Sequence, residues 1–219
     1  MRYFDAHLHP VPDALFEEAF HAGVDTFFCN ATSPKDWQTV LDVPRRHLGV
    51  WCCLGVHPWY IDELPMDWAD KLSLLLERNP LAMVGEIGLD FHRPNYDKQK
   101  RVFMKQLELA RRYHRSVHIH CVGAWPDMIQ IMSQYPDLSM LFHRFSGDEV
   151  VVQKLRFLDA YISVINGKCI GVIPDNRLLV ESDAPDGLKS PAVIPALVEK
   201  LRLDANYLYM NLERFLDGK

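Results

Sequence analysis

The sequence predicts an α/β chain, a (β/α)8 TIM barrel, on three observations. Eight short apolar runs recur along its 219 residues, amphipathic stretches with helical spacing separate most of them, and histidines or carboxylates fall where the runs end. Alternation of this kind implies parallel strands joined by helical crossovers. Eight such units close into a barrel whose reactive groups gather at the C-terminal ends of its strands. A single domain is expected over residues 1–219, because no low-complexity linker, charge block or change of composition divides the chain.

The first run, residues 3–5, leads into Asp5-Ala6-His7-Leu8-His9. In an extended strand residues i and i+2 point the same way, so His7 and His9 direct two imidazoles at one point, half of a metal site. The second run covers residues 26–30, and the third, 50–56, brings His57 to the same mouth. The fourth, 82–87, has Glu86 at its end. The clearest helix follows at 98–114, where Phe103, Leu107 and Ala110 make an apolar stripe and lysines and arginines occupy the other faces. The fifth run, 117–121, places His118 and His120 on one face, and the sixth, 140–143, ends in His143. The seventh is 161–165 and the eighth 178–181, with Asp183 just beyond. The link from Ile165 to Leu178 is too short for a helix, so the barrel is expected to be trimmed between its seventh and eighth strands. Residues 192–216 read as helical and should cover the barrel wall.

Composition narrows the functional classes. A formal charge of −5 argues against a general polyanion binder while leaving room for a local basic mouth. The N-terminus lacks a basic stretch followed by an apolar segment and cleavage site, and no apolar run is long enough to span a bilayer. The expectation is a soluble cytoplasmic protein with no membrane partner, monomeric by default. Cys29, Cys52, Cys53, Cys121 and Cys169 form neither a Cys-x-x-Cys pair nor a disulfide framework, and most are expected to be reduced, buried small hydrophobes.

Taken singly, a histidine or glutamate at a strand end is more often a cap or a surface group than a ligand. Here His7, His9, Glu86, His120, His143 and Asp183 are dispersed over almost the whole chain, and a closed barrel would deliver all six to one mouth. That coincidence of residue type and position points to a metal-dependent hydrolase. The segments Asp5-Ala6-His7-Leu8-His9, Gly55-Val56-His57-Pro58, Gly85-Glu86-Ile87-Gly88-Leu89-Asp90, His143-Arg144-Phe145-Ser146-Gly147 and Glu181-Ser182-Asp183-Ala184-Pro185 resemble, in order, the motifs of the TatD family of metal-dependent deoxyribonucleases. Gln99, Phe103, Gln106 and Ala110 also fit the family pattern, and the resemblance runs from residue 1 to about residue 187.

The resemblance implies two divalent metal ions, with His7, His9, Glu86 and Asp183 around one and Glu86, His120 and His143 around the other. Glu86 would then bridge ions that lie about 3.5–4 Å apart in sites of this kind, and a bound water would become acidic enough to attack phosphorus. Asp183 would also act as general base. Imidazoles suit zinc, manganese or nickel and the carboxylates also admit magnesium, so the ligands leave the metal open. The alignment assigns the ligand position to His120 and leaves His118 one pleat deeper, as an interior histidine or a support for the metal ligands. His57 is expected to contact substrate or protonate the leaving group.

The chain departs from the family pattern at Val122, where an arginine is usual, so a phosphate-binding cation is missing. Arg144 and Arg93 are the candidate replacements, with Arg144 the substrate-binding choice. Ser182 replaces the usual threonine of Glu-Thr-Asp and keeps a hydroxyl. Trp59, Tyr60, Phe91 and Trp125 either stack on bases or anchor loops, and the basic cluster on the 98–114 helix reads as its solvated face. The reading is hydrolysis of a phosphodiester, DNA near a strand end being the expected substrate. Two others stay open: hydrolysis of another ester or amide, and a metal-binding protein that holds a ligand without turnover.

Overall fold

The computed structural model describes residues 1–218. Its eight strands are β1 (Tyr3–Leu8), β2 (Val24–Asn30), β3 (Val50–Leu54), β4 (Met83–Asp90), β5 (Val117–Val122), β6 (Met140–Phe142), β7 (Tyr161–Val164) and β8 (Leu178–Val180). They pair in parallel and in sequential order. Every predicted run coincides with one of them. Helices α1 (Asp13–His21), α2 (Trp37–Arg46), α3 (Trp68–Arg78), α4 (Tyr96–Tyr113), α5 (Trp125–Met132) and α6 (Glu149–Phe157) fill the crossovers, and none is long and apolar enough to cross a membrane. The β7–β8 link carries only the 3-10 turns Ile170–Val172 and Asp175–Arg177, which is the expected trimming.

The strands are buried because the helices cover one face and side chains fill the other. All eight residues of β4 are buried, Glu86 and Asp90 included. The expected stripe Phe103, Leu107 and Ala110 is the inner face of α4, but Gln99 and Gln106 are buried beside it. Gln106 donates to the Val56 carbonyl and accepts from the Val56 N–H at 3.1 and 2.6 Å, and Gln99 does the same for Asp90 at 3.0 and 2.8 Å. These two amides stand in for a neighbouring strand just where β3 and β4 end, and so hold the segments that carry His57 and Asp90.

Three expectations need adjustment. Glu86 does not end its strand, because β4 runs on to Asp90. Gly88 permits this: at φ +149° it approaches β5 so closely that a Cβ would lie 1.9 Å from the His120 carbonyl oxygen. His120 likewise sits two residues inside the end of β5, and His57 lies beyond β3, at the N-cap of the 3-10 turn Pro58–Glu63. The helical C-terminal stretch divides into the turn Pro191–Val193, α7 (Ile194–Lys200) and α8 (Ala205–Leu216), restarted by the Asp204 carboxylate accepting from the Asn206 and Tyr207 N–H groups.

Where β8 meets β1, hydrogen bonds close the cylinder: Asp183 N–H to the His7 carbonyl, His9 N–H to the Ala184 carbonyl, and Ser182 N–H to Asp5 Oδ1, each at 2.8 Å. At the opposite end α8 inserts Phe215 against Phe28, His118 and Tyr161, with ring centroids 5.9, 5.6 and 5.3 Å away. Cys29, Cys52, Cys53 and Cys121 are buried free thiols, and Cys169 is half-buried.

Candidate metal centre

Side-chain alternation on β1 turns Asp5, His7 and, just past the strand, His9 inward together. The irregular register between Val84 and Ile87 sets Glu86 in the same interior, where Gly85 leaves room: a Cβ there would meet His118 Cβ at 2.7 Å and Asn30 Oδ1 at 2.8 Å. The six expected ligand residues therefore converge. Glu86 Oε2 lies 3.4 Å from His7 Nε2 and 3.3 Å from His9 Nε2. Its other oxygen, Oε1, lies 2.8 Å from His120 Nδ1, 2.7 Å from His143 Nε2 and 3.2 Å from His57 Nε2. Asp183 Oδ1 completes the first group, 4.0 and 3.7 Å from the Nε2 atoms of His7 and His9. One carboxylate thus faces imidazoles with each of its two oxygens, and His7 of the first pair stacks on His143 of the second with ring centroids 3.8 Å apart.

Hydrogen bonding leaves these atoms free for something else. Glu86 Oε1 is buried among nitrogens at under 3 Å, yet no ring N–H is aligned on it, and the buried His7 Nε2 also lacks a hydrogen-bond partner. His9 Nδ1 lies 3.0 Å from the Asn30 carbonyl oxygen, which only accepts, so Nδ1 carries the proton and Nε2 points inward as a bare lone pair. Ligand atoms of His7, His9 and Asp183 lie within 4.8 Å of one another, as do those of His57, Glu86 and His120. His120 Nδ1 and His143 Nε2 lie 3.2 Å apart as a hydrogen-bonded pair, and the buried, unpartnered Glu86 Oε1 and His7 Nε2 beside them fit a divalent cation. Without its charge, such a cluster would repel itself or stay unsatisfied.

The electrostatics divide the imidazoles. Burial lowers the His120 imidazole to about 4 against the pull of Glu86, and burial beside His143 holds His7 well below the usual histidine value, so both rings are neutral at physiological pH. For His143 burial works the same way, but Glu86 and Glu181 outweigh it and raise this imidazole well above the ordinary value. Burial also opposes ionisation of Glu86, yet His57 and His143 hold its carboxyl well below the usual range. Burial pushes Asp183 up to about 6, His143 opposing and Glu181 and Glu86 adding to the rise.

His118 occupies the deeper pleat, fully buried between Phe28 and Phe215, with ring centroids 5.1 and 5.6 Å from them. His57 faces the mouth instead: its Nδ1 accepts from the Trp59 N–H at 3.2 Å, so Nε2 carries the proton toward Glu86. The cavity above the cluster, about 370 Å³, is lined by His57, Glu86, His120, His143, Arg144 and Asp183 among others. Arg144 donates to Asp183 Oδ2 at 2.8 Å with its guanidinium half exposed. Arg93 lies outside that cavity, stacked 4.1 Å over the Trp59 ring. Trp59 is half exposed at the mouth with Nε1 donating to Asp90 Oδ2 at 2.7 Å, whereas Trp125 packs on Phe142 and Phe145 as a loop anchor. Most of the α4 cations are paired with carboxylates, as Lys98 is with Asp62 and Arg111 with Asp137, which is the solvated face expected.

Glu181 is the residue whose role the sequence did not disclose, although it sits inside a quoted motif. Fully buried, it accepts from the Arg144 N–H at 2.5 Å and from the Ser163 hydroxyl, and lies 3.6 Å from His143 Nδ1. It orients the His143 ring from behind.

A family model for TatD-related DNases matches residues 4–207. The chain is 28% identical over 189 residues to the 3'-5' ssDNA/RNA exonuclease TatD of Cronobacter turicensis, spanning 79% of this chain and 72% of that protein. It is 26% identical over 219 residues to the protein of the same name from Salmonella typhimurium, spanning 87% and 84%. Among solved structures, YjjV, a TatD homologue from Escherichia coli, superposes with a TM-score of 0.88 at 24% identity, covering 99% of this chain and 97% of that one. A TatD-family hydrolase from Entamoeba histolytica superposes at 0.83 with 18% identity and full coverage of both chains. At these identities the two structures speak for the fold.

Proposed function

The chain belongs to the family of TatD-related DNases, and from that premise we infer that it is a metal-dependent hydrolase of phosphodiester bonds that trims single-stranded DNA from an end with a two-metal centre. The observation that carries the inference is the division of Glu86, one oxygen toward His7 and His9 and the other toward His120 and His143. In this reading His7, His9, Glu86 and Asp183 hold one ion and Glu86, His120 and His143 the other. Divalent cations there would supply Lewis-acid charge to the scissile phosphate and acidify the attacking water.

The remaining steps fall to side chains of the protein. Asp183 presents Oδ1 to the imidazoles while Oδ2 is held by Arg144, so the carboxylate is fixed in orientation and accepts the proton of the attacking water. Arg144 keeps further guanidinium donors for a phosphate oxygen. His57, with its proton placed on Nε2 by the Trp59 N–H, donates a hydrogen bond to a substrate oxygen at the mouth. The intact set of base and ligand positions favours turnover over ligand holding. The reading is tested by metal analysis and by comparing linear with circular single-stranded DNA. About two equivalents of divalent metal, loss of most of it in Glu86→Gln, and cleavage of the linear form alone are expected. Equal cleavage of the circle would remove the end requirement, and wild-type protein without bound metal would remove the mechanism.

A further inference from the structure

Beside the candidate metal mouth lies a second cleft, at the start of the trimmed β7–β8 link. Of about 230 Å³, it runs between the turn that follows β6 and the start of that link, with Arg144, Ser146, Asn166 and Lys168 at its polar positions over Phe145 and Cys169. Arg144 lines both this cleft and the metal cavity, so the two are neighbours across its side chain. Among the described residues, no carboxylate lines the second cleft. Two other hollows that hold cations are neutralised: the one holding Lys98 and Arg101 also holds Asp62 and Asp97, and the one holding Lys35 also holds Glu63.

The backbone fixes Arg144 in this double position. Its φ of +44° is unusual for a non-glycine residue, and its N–H is held by the buried Glu181 while its guanidinium is held by Asp183. Lys168 is exposed across the cleft, on a turn whose N–H is tied by the Asn166 side chain at 3.0 Å. Lys168, Arg144 with its charge shared by Asp183, and two neutral hydrogen-bonding side chains, in a cleft whose lining holds no carboxylate, suit a monoanionic phosphate.

We propose that this cleft is a second phosphate subsite, which takes the backbone phosphate adjacent to the scissile one in a single-stranded nucleic acid, with Lys168 as a specificity-determining residue. The assignment rests on the phosphodiesterase reading. A strand laid with its scissile phosphate over Glu86 and Asp183 reaches the cleft by way of Arg144, and the phosphate there gives polymers an advantage over esters with one phosphate.

The test uses the metal-loaded protein on a short oligothymidylate and on bis(p-nitrophenyl) phosphate, which has a single phosphodiester. Lys168→Ala should lower the ratio of kcat/KM on the oligonucleotide to that on the small ester by about tenfold, through KM, with Lys168→Arg restoring most of it. Lys154→Glu, a charge change on the exposed face of α6, serves as control and should leave the ratio alone. Fluorescence anisotropy of a labelled oligonucleotide with chelator present gives a readout without turnover: the slope of log K against log salt should shrink by about one in Lys168→Ala. An unchanged ratio and slope would overturn the subsite while the hydrolase reading stood. A wild type that hydrolyses neither substrate would overturn the hydrolase reading, and with it the subsite.

Discussion

At the scale of single residues, Asp183 carries the most specific consequence. It touches the imidazoles with one oxygen and Arg144 with the other, so Asp183→Asn keeps the shape and removes the proton acceptor. Turnover of a single-stranded oligonucleotide should fall by about 10²–10⁴-fold, the usual contribution of a general base, with the circular dichroism spectrum unchanged. Activity within a few-fold of wild type would exclude it as the base. The thiols give a pH prediction. Burial pushes Cys52 up to about 12 and holds Cys29 and Cys53 well above the ordinary thiol value. Folding therefore suppresses their thiolates across neutral and mildly alkaline pH, and alkylation at pH 8 should stop at one adduct, on the half-buried Cys169, rising to five in denaturant. Several native adducts by mass spectrometry would contradict this packing. His7 and His9 were legible because i,i+2 spacing in a strand has one geometric meaning. Glu181 was not, since a buried carboxylate that steers a histidine from behind has no spacing rule of its own.

The elements show why the positions of the site residues were harder to read than their identities. Strand existence follows from apolar runs, but strand length depends on partners distant in sequence: β4 extends past Glu86 to Asp90 because Gly88 admits the His120 carbonyl and Gln99 satisfies Asp90. The C-terminal pattern read as helical, and its division into two helices depends on Arg202 at φ +56° and on the Asp204 cap. Gln106 tests the role of α4 directly. Its amide satisfies both backbone groups of the buried Val56, so Gln106→Met, of similar volume, should strand a donor and an acceptor and cost about 2–4 kcal/mol in urea unfolding. Because Val56 precedes His57, the same variant should also lose activity faster than it loses bound metal. A change below about 0.5 kcal/mol, the range of an ordinary surface substitution, would show that water replaces the amide freely.

Across the whole molecule, the candidate ligands tie together parts of the chain that the sheet joins least strongly. The β8-to-β1 closure rests on a few backbone hydrogen bonds at the mouth, and both edges contribute to the cluster, β1 through His7 and His9 and the end of β8 through Asp183. Glu86, His120 and His143 come from the wall between. A cation at this point would bind the folded state and find no such site in the unfolded chain, which adds RT ln(1 + [metal]/Kd) to stability, about 2.7 kcal/mol at a hundred times Kd. For a chain of this length each kcal/mol moves the melting temperature by about 2–4 °C, so chelation should lower Tm by about 5–11 °C. The added divalent ion that restores it most effectively then identifies the metal suited to the site. The shift should vanish in Glu86→Gln, which removes the shared carboxylate, and persist in Lys168→Ala, which leaves the cluster untouched. Identical melting curves with chelator and with each divalent ion would mean that the convergence of six ligand-type groups serves the fold alone, because no cation bound tightly enough to organise catalysis can leave the folded state unstabilised.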